Sequence, residues 1–362
     1  MQNIDGSVAK RAFSDKGGRT PTALFDYDLP EECIAQRSVL PRDEARLLVL
    51  DRSSGVRTHA CVLDLPTFLR AGDTLVFNDT KVFNARLMAT CRGRVHEVLL
   101  LRALLDGHGT SQWEVILRGA KRLHAGDVLL CDGVMFVLRQ KPTEKEAAAV
   151  EAMASVAEVH ALCDRVGHIP VPPYVKEEPK RLEDYQTIYA KHVGSVAAPT
   201  SGFHFTPRLF QALEKRGIEK AFVTLHVGGG TFVPVKTETL EEHRMHAEWV
   251  SLSKETVACI RRTKERGGRV IAVGTTTVRT LEGIAECFGE LRPYEGEINL
   301  FITPGFSFRV IDGLVTNFHL PRSTLLALVS AFAGREGILQ AYREAIANGY
   351  RFFSFGDAMF IR

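Results

Sequence analysis

The sequence predicts an α/β fold: a mixed-sheet α/β body interrupted by a small inserted all-β barrel. Three observations predict this architecture. From about residue 207 onward, short apolar runs alternate with amphipathic helical segments, as in an α/β layer. Between about Leu65 and Leu138 the chain instead contains short β-prone runs separated by turn residues. The 362 residues, 45% apolar and 25% charged, are enough for two domains with an ample core.

The first part of the body follows a polar segment. Residues 1–20 are polar and aperiodic, and we interpret them as a disordered tail. A short helix is expected just after Pro30, and the apolar run RLLVLDR at residues 46–52 suits a strand that enters a sheet. We therefore assign residues 21–65 to the body.

The inserted barrel is assigned to residues 66–162. Its expected strands are TLVFND, RLMATC, EVLLL, WEVILRG and DVLLCDGVMFVLR, and Asp132-Gly133 in the last run is a hairpin turn. The sequences AGDTL at 71–75 and AGDVL at 125–129 echo one another, which suits a barrel made of two similar halves. An alanine-rich segment from Pro142 to Arg165 is expected to be helical and to connect or close this unit.

The body resumes at residues 163–362 with alternating helices and strands. A proline-rich extended segment, GHIPVPPYVK, comes first. Helical periodicity then predicts helices in TPRLFQALEKRG, SKETVACIRRTKERGG, TTVRTLEGIAECFG, STLLALVSAFAG and GILQAYREAIANG. The expected strands are AFVTLHV, RVIAVG and NLFIT, and RFFSFGDAMFI closes the chain.

Composition bounds the classes of function without choosing one. The net charge of +3 is compatible with nucleic acid, but binding depends on a local basic patch more than on the total. No apolar run is long enough to span a membrane and no signal sequence is recognisable, so a cytoplasmic location is expected. Seven scattered cysteines without a CxxC pair suggest reduced thiols.

The glycine run that follows the strand AFVTLHV is the first candidate site. Gly228, Gly229 and Gly230 would let a ligand lie directly against the main chain, although a plain glycine-rich turn remains an alternative. No Gly-Lys-Ser/Thr follows, which excludes a phosphate-binding P-loop. A dinucleotide fingerprint would open a helix, whereas TFVPV is β-like.

A second candidate site is the start of the helix in RVIAVGTTTVRTLEG. Thr275 or Thr276 can cap this helix, and the free amides there attract a phosphate or a carboxylate. A capped helix without a ligand explains the same residues. Arg279 could clamp an anion with two hydrogen bonds, or it could lie in solvent.

Histidine-rich segments supply the remaining candidates. In EEHRMHAEW, the residues His243, His246 and Glu248 do not match the helical zinc patterns, so hydrogen bonding or acid–base chemistry is favoured and no metal is expected. APTSGFHFTPRL contains His204 and Ser201. The sequence around Ser201 lacks the GxSxG pattern of a nucleophile elbow. TNFHLPRSTLLALV places polar residues before an apolar helix: His319, Arg322, Ser323 and Thr324.

Taken together, these segments resemble one family. FDYDLPEECIAQ, GDTLVFNDTKVFNARL, GHIPVPPYV, DYQTIYA, GSVAAPTSGFHFT, TLHVGGGTFVPV, EEHRMHAEW, VGTTTVRTLE and TNFHLPRSTLLALVSAFAG resemble, in order, the S-adenosylmethionine:tRNA ribosyltransferase-isomerases of queuosine biosynthesis. The resemblance runs from about Thr22 to Arg362. It implies an α/β body with an inserted barrel and a monomeric transferase of tRNA modification.

The resemblance also implies the substrates. Members use S-adenosylmethionine as a ribosyl donor and act on tRNA with a GUN anticodon that carries 7-aminomethyl-7-deazaguanine at the wobble position. The product is epoxyqueuosine, with adenine and methionine released. A methyltransferase using S-adenosylmethionine, or a non-catalytic tRNA-binding protein, is the alternative. The first should show the missing strand–glycine–helix fingerprint, and the second needs an aromatic and basic platform.

Such chemistry requires at least two proton-transfer groups, which histidine supplies most readily near neutral pH. We therefore expect an acid–base pool of five histidines, with Glu248 orienting one of them. The glycines at 228–230 would contact the adenosine or methionine, and Thr275, Thr276 and Arg279 would contact an anionic group. Arg322 and Ser323 could serve either ligand. The pool consists of His204, His226, His243, His246 and His319.

Overall fold

The computed structural model describes residues 19–143, 147–228, 235–245 and 247–362. The interpretation of residues 1–18 as a tail lies outside these described residues. The strands are β1 Arg46–Leu50, β2 Arg57–Cys61, β3 Thr74–Asn78, β4 Thr80–Val82, β5 Arg86–Cys91, β6 Arg94–Asp106, β7 Ser111–Leu117, β8 Val128–Cys131, β9 Val134–Gln140, β10 Ala148–Ala152, β11 His192–Ser195, β12 Glu219–Leu225, β13 Glu248–Leu252, β14 Val270–Val273, β15 Tyr294–Ile298, β16 Gly313–Asn317 and β17 Ala358–Ile361. The α-helices are α1 Val156–Val166, α2 Pro207–Lys215, α3 Lys254–Glu265, α4 Thr275–Phe288, α5 Thr324–Ala333 and α6 Arg335–Ala347.

The body is built on a nine-stranded mixed sheet in the order β15-β13-β12-β3-β14-β16-β17-β1-β2. Its central strands β12, β3, β14 and β16 are parallel, and the neighbours on both sides include antiparallel pairs. All residues of β3, β14 and β16 are buried. These short continuous apolar runs are typical of parallel strands covered on both faces. The mixed-sheet body predicted from the sequence is therefore confirmed.

The inserted unit is a closed six-stranded antiparallel barrel in the order β10-β7-β6-β5-β8-β9. Its strands alternate between buried and more exposed residues, as in β7, because every second side chain points into the barrel. Trp113 and Phe136 fill the interior, and Leu162 and Cys163 of α1 pack against the same core. The predicted inserted barrel is confirmed.

Two stretches differ from the secondary structure that their sequences predicted. The segment AAVEA at Ala148–Ala152 is strand β10, although its alanines predict helix. Ala148, Val150 and Ala152 are fully buried, so small inward side chains fitting the barrel outweigh helix propensity. NLFIT is not a strand either, since the strand of that region is β15, which ends at Ile298.

The strand TLVFN was grouped with the barrel, but it is β3 at the centre of the body sheet, paired with β12 and β14. We therefore propose that the barrel begins near Arg86. The boundaries at residues 66 and 162 rest only on the pattern of short β-prone runs in the sequence. The similarity of the sequences AGDTL and AGDVL does not reflect two halves of one barrel. Asp73 accepts the amide of Arg70 and Asp127 that of His124, both at 2.9 Å, so the two copies are the same turn before a strand.

Candidate active site at the carboxyl ends of the parallel strands

A pocket opens at the carboxyl ends of β12, β14 and β16. It encloses about 710 Å³ of empty space and opens to solvent. In open α/β sheets, ligands bind in such crevices because the strands end there and the following helices begin. The lining residues are Tyr174, Ala197, Ala198, Pro199, Thr200, Ser201, Val227, Gly274, Thr275, Thr276, Asn317, Phe318, His319, Leu320, Ser323, Leu325, Phe353 and Ser354.

The amino terminus of α4 faces this pocket. Gly274 precedes the helix with φ 88° and ψ 152°, a conformation that favours glycine. No side chain of the described residues caps the helix, so neither Thr275 nor Thr276 is the cap that the sequence suggested. The hydroxyl of Thr276 is buried without a hydrogen-bond partner among the described residues. The helix start therefore offers free amides and a free hydroxyl to an anionic or polar ligand.

The amino terminus of α5 reaches the same pocket. Ser323 caps α5 by accepting the amide of Leu326 at 3.1 Å, and its hydroxyl donates to the carbonyl of Leu320 at 2.8 Å. Arg322 is exposed and has a positive φ of 52°, with its carbonyl accepting the amide of Val235 at 3.1 Å. This bond brings the chain that follows the glycine loop next to the pocket.

Asn317, the last residue of β16, organises the pocket floor. Its Oδ1 accepts the hydroxyls of Thr200 and Ser201, each at 3.0 Å, and its Nδ2 donates to the carbonyl of Phe353 at 3.1 Å. Nε2 of His204 lies 3.5 Å from the same Nδ2. One buried amide thus joins the segment at residues 200–204 to β16 and to the carboxyl-terminal segment.

His319 lines the pocket and is held on three sides. Nε2 of its ring lies 2.9 Å from the hydroxyl of Thr316, and its amide donates to the Tyr342 hydroxyl at 3.0 Å. The Tyr27 hydroxyl donates to its carbonyl. Burial lowers the pKa of His319 to about 3, because the protonated ring loses its hydration there. The imidazole is therefore neutral at pH 7.

His204 and His226 are also neutral at pH 7, but they lie beside the pocket lining. Burial lowers the pKa of His204 to about 4, and burial with the nearby His192 lowers that of His226 to about 4. Nδ1 of His226 lies 2.8 Å from the Thr80 hydroxyl, and its ring stacks on Trp249 with centroids 4.8 Å apart. Neither histidine is among the residues that line the pocket.

A carboxylate that the sequence analysis missed lies next to His226. Asp79 follows β3 directly, accepts the hydroxyl of Thr224 at 2.7 Å, and stands 3.7 Å from Nε2 of His192. Burial raises the pKa of Asp79, against the opposing effects of Thr224, His192 and Lys191. Asp79 and Asn317 share a recognisable signal: a polar residue at the carboxyl end of a buried strand, where sites form.

Glu248 and Arg279 pair with each other. Both side chains are 6% exposed and form a buried ion pair between β13 and α4, and the guanidinium also donates to the Leu300 carbonyl at 3.4 Å. Arg279 therefore does not lie in solvent, and its contact with a ligand anion stays a prediction. Glu248 pairs with this guanidinium, and the expectation that it orients a histidine stays a prediction as well.

The remaining candidates divide between two locations. His243 packs edge-on against Phe301 with centroids 5.6 Å apart and is not among the pocket-lining residues. Gly228 directly follows Val227, which lines the pocket. Gly229, Gly230 and His246 lie outside the described residues. The structure thus brings His319, Thr275, Thr276 and Ser323 together, with His204 one contact away.

The described ranges contain no group of three His, Cys, Asp or Glu side chains placed to hold a metal ion. In the same ranges, no helix has both the length and the apolar character of a membrane span. The pocket instead combines two helix starts, several hydroxyls and a neutral imidazole. Such a set can bind a polar ligand with an anionic group and accept a proton from it.

Comparisons with known proteins agree on one family. The family model described as queuosine biosynthesis protein matches residues 22–361. A protein of Symbiobacterium thermophilum named S-adenosylmethionine:tRNA ribosyltransferase-isomerase is 47% identical over 340 residues, covering 93% of this chain and 98% of its own length. A protein of Moorella thermoacetica with the same name is 48% identical over 338 residues, with the same coverage of both chains.

A solved structure is similar as well. The crystal structure of an S-adenosylmethionine tRNA ribosyltransferase from Thermotoga maritima is 38% identical to this chain. It aligns with a TM-score of 0.54 and covers 94% of this chain and 100% of its own. The likeness therefore includes both the body and the inserted barrel.

Proposed function

Because the chain belongs to the S-adenosylmethionine:tRNA ribosyltransferase-isomerases of queuosine biosynthesis, we propose that its pocket binds S-adenosylmethionine and presents it to a tRNA base. The base is 7-aminomethyl-7-deazaguanine at the wobble position of a GUN anticodon. The enzyme transfers and isomerises the ribosyl group, giving epoxyqueuosine-tRNA, adenine and methionine. It works as a monomer in the cytoplasm.

One observation carries the assignment of this pocket: two helix starts and a neutral histidine converge on it. The uncapped start of α4 suits the carboxylate of the methionine portion, and so does the Thr276 hydroxyl, which has no partner among the described residues. The start of α5 at Ser323 lines the pocket with a further polar group.

The chemistry requires proton transfer at two positions. The sulfonium acidifies the adjoining 5′ carbon, so a base removes a proton there, and the departure of adenine needs a proton donor. The amine of the modified base then attacks the opened sugar, and the epoxide forms as methionine leaves. A neutral imidazole accepts the first proton and can return it as an acid. Two observations support His319 for this role: it lines the pocket, and its lowered pKa leaves the imidazole neutral at pH 7.

The other candidates take supporting roles. His204 sits behind Asn317 and steadies the segment with Thr200 and Ser201. His226 and the Asp79–His192 pair flank the segment that leads into the glycine loop. Gly228, Gly229 and Gly230 approach the adenosine or methionine, Arg322 serves either ligand, and His243 and His246 complete the pool of proton-transfer groups.

Incubation with S-adenosylmethionine and a modified anticodon stem-loop tests the reaction. We expect mass analysis to show an RNA gain matching the epoxycyclopentane product, with adenine and methionine in equal amounts. S-adenosylhomocysteine would indicate methyl transfer instead. Binding of the stem-loop without consumption of S-adenosylmethionine would indicate a non-catalytic RNA-binding protein. Either result would contradict the proposal.

Substituting each described histidine of the pool by Gln tests the assignment of the base. His319→Gln should slow adenine release by about 100-fold or more, since general acid–base catalysis contributes about 10² to 10⁴. His124→Gln, at an exposed position of the barrel, is the matched control and should leave adenine release near the wild-type rate. Near-normal release by His319→Gln would exclude His319 as the base.

A further inference from the structure

The end of the barrel farthest from the body carries concentrated positive charge. Strand β5 starts beside the body at Arg86, which bridges to His168, and ends at the turn of Arg92 and Gly93. The loop at residues 118–127 lies next to that turn, because Arg92 pairs with Asp127. We call this surface the basic end, made of Arg92, Arg94, Arg118, Lys121 and Arg122.

All five cationic residues of the basic end are exposed. Two carboxylates, Glu97 and Asp127, pair with Arg118 and Arg92. Five positive and two negative groups leave a local charge of +3. The whole chain has a net charge of +3, so the rest of the molecule sums to about zero. The local charge of the basic end therefore equals the net charge of the whole chain.

Three of these cations do not stabilise the fold through an ion pair with a described residue. Arg94, Lys121 and Arg122 form no ion pair with any residue that the structure describes, and all three lie in solvent on neighbouring segments. On an ordinary solvated surface, positively and negatively charged side chains are interspersed. A cluster of one sign on a rigid barrel instead attracts a polyanion and loses counterions when it binds one.

The barrel is joined to the sheet edge that carries the pocket by both of its connections. The chain leaves β3 at Asn78, at the carboxyl edge of the sheet, and enters the barrel through β4. It returns through α1 to Tyr174, which lines the pocket. The six residues of β5, from the body side of the barrel to the basic end, span about 20 Å at about 3.4 Å per residue. An RNA strand of several nucleotides covers such a length.

We propose that the basic end binds phosphates of the tRNA substrate and fixes the orientation of the anticodon arm over the pocket. This inference rests on the proposed function and adds a surface to it. Phosphate contacts of this kind position a nucleic acid without reading its sequence. The barrel is then the part of the enzyme that holds the RNA, and the body is the part that performs the reaction.

The test compares two triple variants in the full-length enzyme. Arg94→Ala, Lys121→Ala and Arg122→Ala are combined in one protein. The control combines Lys215→Ala, Arg261→Ala and Arg343→Ala, which also removes one Lys and two Arg from exposed helix positions of the body. Steady-state rates with modified tRNA are measured from 50 to about 300 mM salt, and anisotropy measures binding of unmodified tRNA.

The basic-end variant should raise KM for tRNA by about 10-fold or more near 150 mM salt. Its slope of log(kcat/KM) against log[salt] should fall by about one for each phosphate contact removed. The KM for S-adenosylmethionine and kcat should stay within about twofold, and the control should match the wild type.

Equal tRNA affinities and equal salt slopes in the two variants and the wild type would overturn the inference and leave the proposed function intact. A wild-type enzyme that consumes no S-adenosylmethionine with modified tRNA would overturn the function instead. Unmodified tRNA binding then still reports on the basic end, since anisotropy needs no chemistry.

Discussion

A single amide side chain holds the pocket floor together. Asn317 accepts two hydroxyls and donates to a carbonyl, so its removal leaves three buried polar groups without that partner. Asn317→Ala should lower the free energy of unfolding by about 2–4 kcal/mol, since each unsatisfied buried group costs about 1–3 kcal/mol and the pocket lets water reach some of them. It should also raise KM for S-adenosylmethionine by about 10-fold or more. Urea unfolding and steady-state kinetics measure the two effects.

Asn348→Ala is the matched control for this prediction. Asn348 is exposed and donates to the Glu344 carbonyl at the end of α6. It should change the free energy of unfolding by less than about 1 kcal/mol and leave KM unchanged. If Asn317→Ala lost stability but bound S-adenosylmethionine normally, Asn317 would be structural only.

At the residue scale, the pocket residues that the sequence made predictable are those whose chemical type is unusual for their position. His319, Thr275, Thr276 and Ser323 stand out beside apolar runs, and all line the pocket. Asn317 ends a buried strand, which is a signal of a site in an α/β sheet, but that signal does not show which groups the side chain holds. Its importance comes from partners at residues 200, 201 and 353, far away in the sequence. Sequence distance does not reveal such contacts.

The grouping of His243, His246 and Glu248 stays a prediction. Glu248 is in a strand and pairs with Arg279 of α4, a partner that proximity along the chain does not reveal.

At the scale of elements, the buried ion pair between Arg279 and Glu248 joins α4 to β13. Removing one partner leaves the other charge buried without the ion pair, which costs about 3–5 kcal/mol. Glu248→Leu and Arg279→Met should each lower the free energy of unfolding by that amount. The double variant should lose much less than the sum, because two apolar side chains pack without an unpaired charge. Urea unfolding of the four proteins in a double-mutant cycle measures the coupling.

Additive losses in that cycle would show that the pair contributes no coupling. Arg57→Met with Glu344→Leu provides the comparison, as this ion pair joins partly exposed side chains at 2.5 Å. Its coupling should be about 1 kcal/mol or less.

The elements themselves were largely predictable, and the exceptions have a common cause. Periodicity predicted helices such as α2 and α3 because they bury one apolar face, whereas the continuous apolar run of α5 predicted a buried helix. AAVEA became a strand and TLVFN joined the body sheet because neighbouring strands selected them, and those neighbours are distant in sequence. Strand pairing is a property of the whole fold, so local composition did not decide it.

At the scale of the molecule, burial of neutral histidines links stability to pH. The pKa is lowered to about 4 for His204 and His226 and to about 3 for His319. The ordinary value near 6.5 applies to the unfolded chain. Between pH 6.5 and 4 the unfolded chain therefore binds more protons than the native protein. Stability rises with pH in such a window, so it is lost as the pH falls from about 6.5 toward 4.

Asp79 acts in the other direction. Its raised pKa lets the native protein bind a proton before the unfolded chain does, which adds stability as the pH falls toward 4. Burial also lowers the pKa of a fourth histidine, His160. One such carboxyl therefore opposes four histidines, so the histidines should dominate. Each proton difference is worth about 1.4 kcal/mol per pH unit.

We therefore expect the thermal midpoint to fall steadily from pH 7 to pH 4.5. The His319→Gln variant lacks one histidine that binds a proton only after unfolding. The slope of its thermal midpoint against pH should therefore be smaller by the contribution of about one proton, even if its stability at pH 7 is lower. His124→Gln, at an exposed position of the barrel, is the control and should keep the wild-type slope. Circular dichroism melts at half-unit pH steps measure all three proteins. A wild-type midpoint that is flat across this range would show that His204, His226 and His319 titrate in the folded protein as they do in water, and would remove the basis for treating His319 as a neutral base.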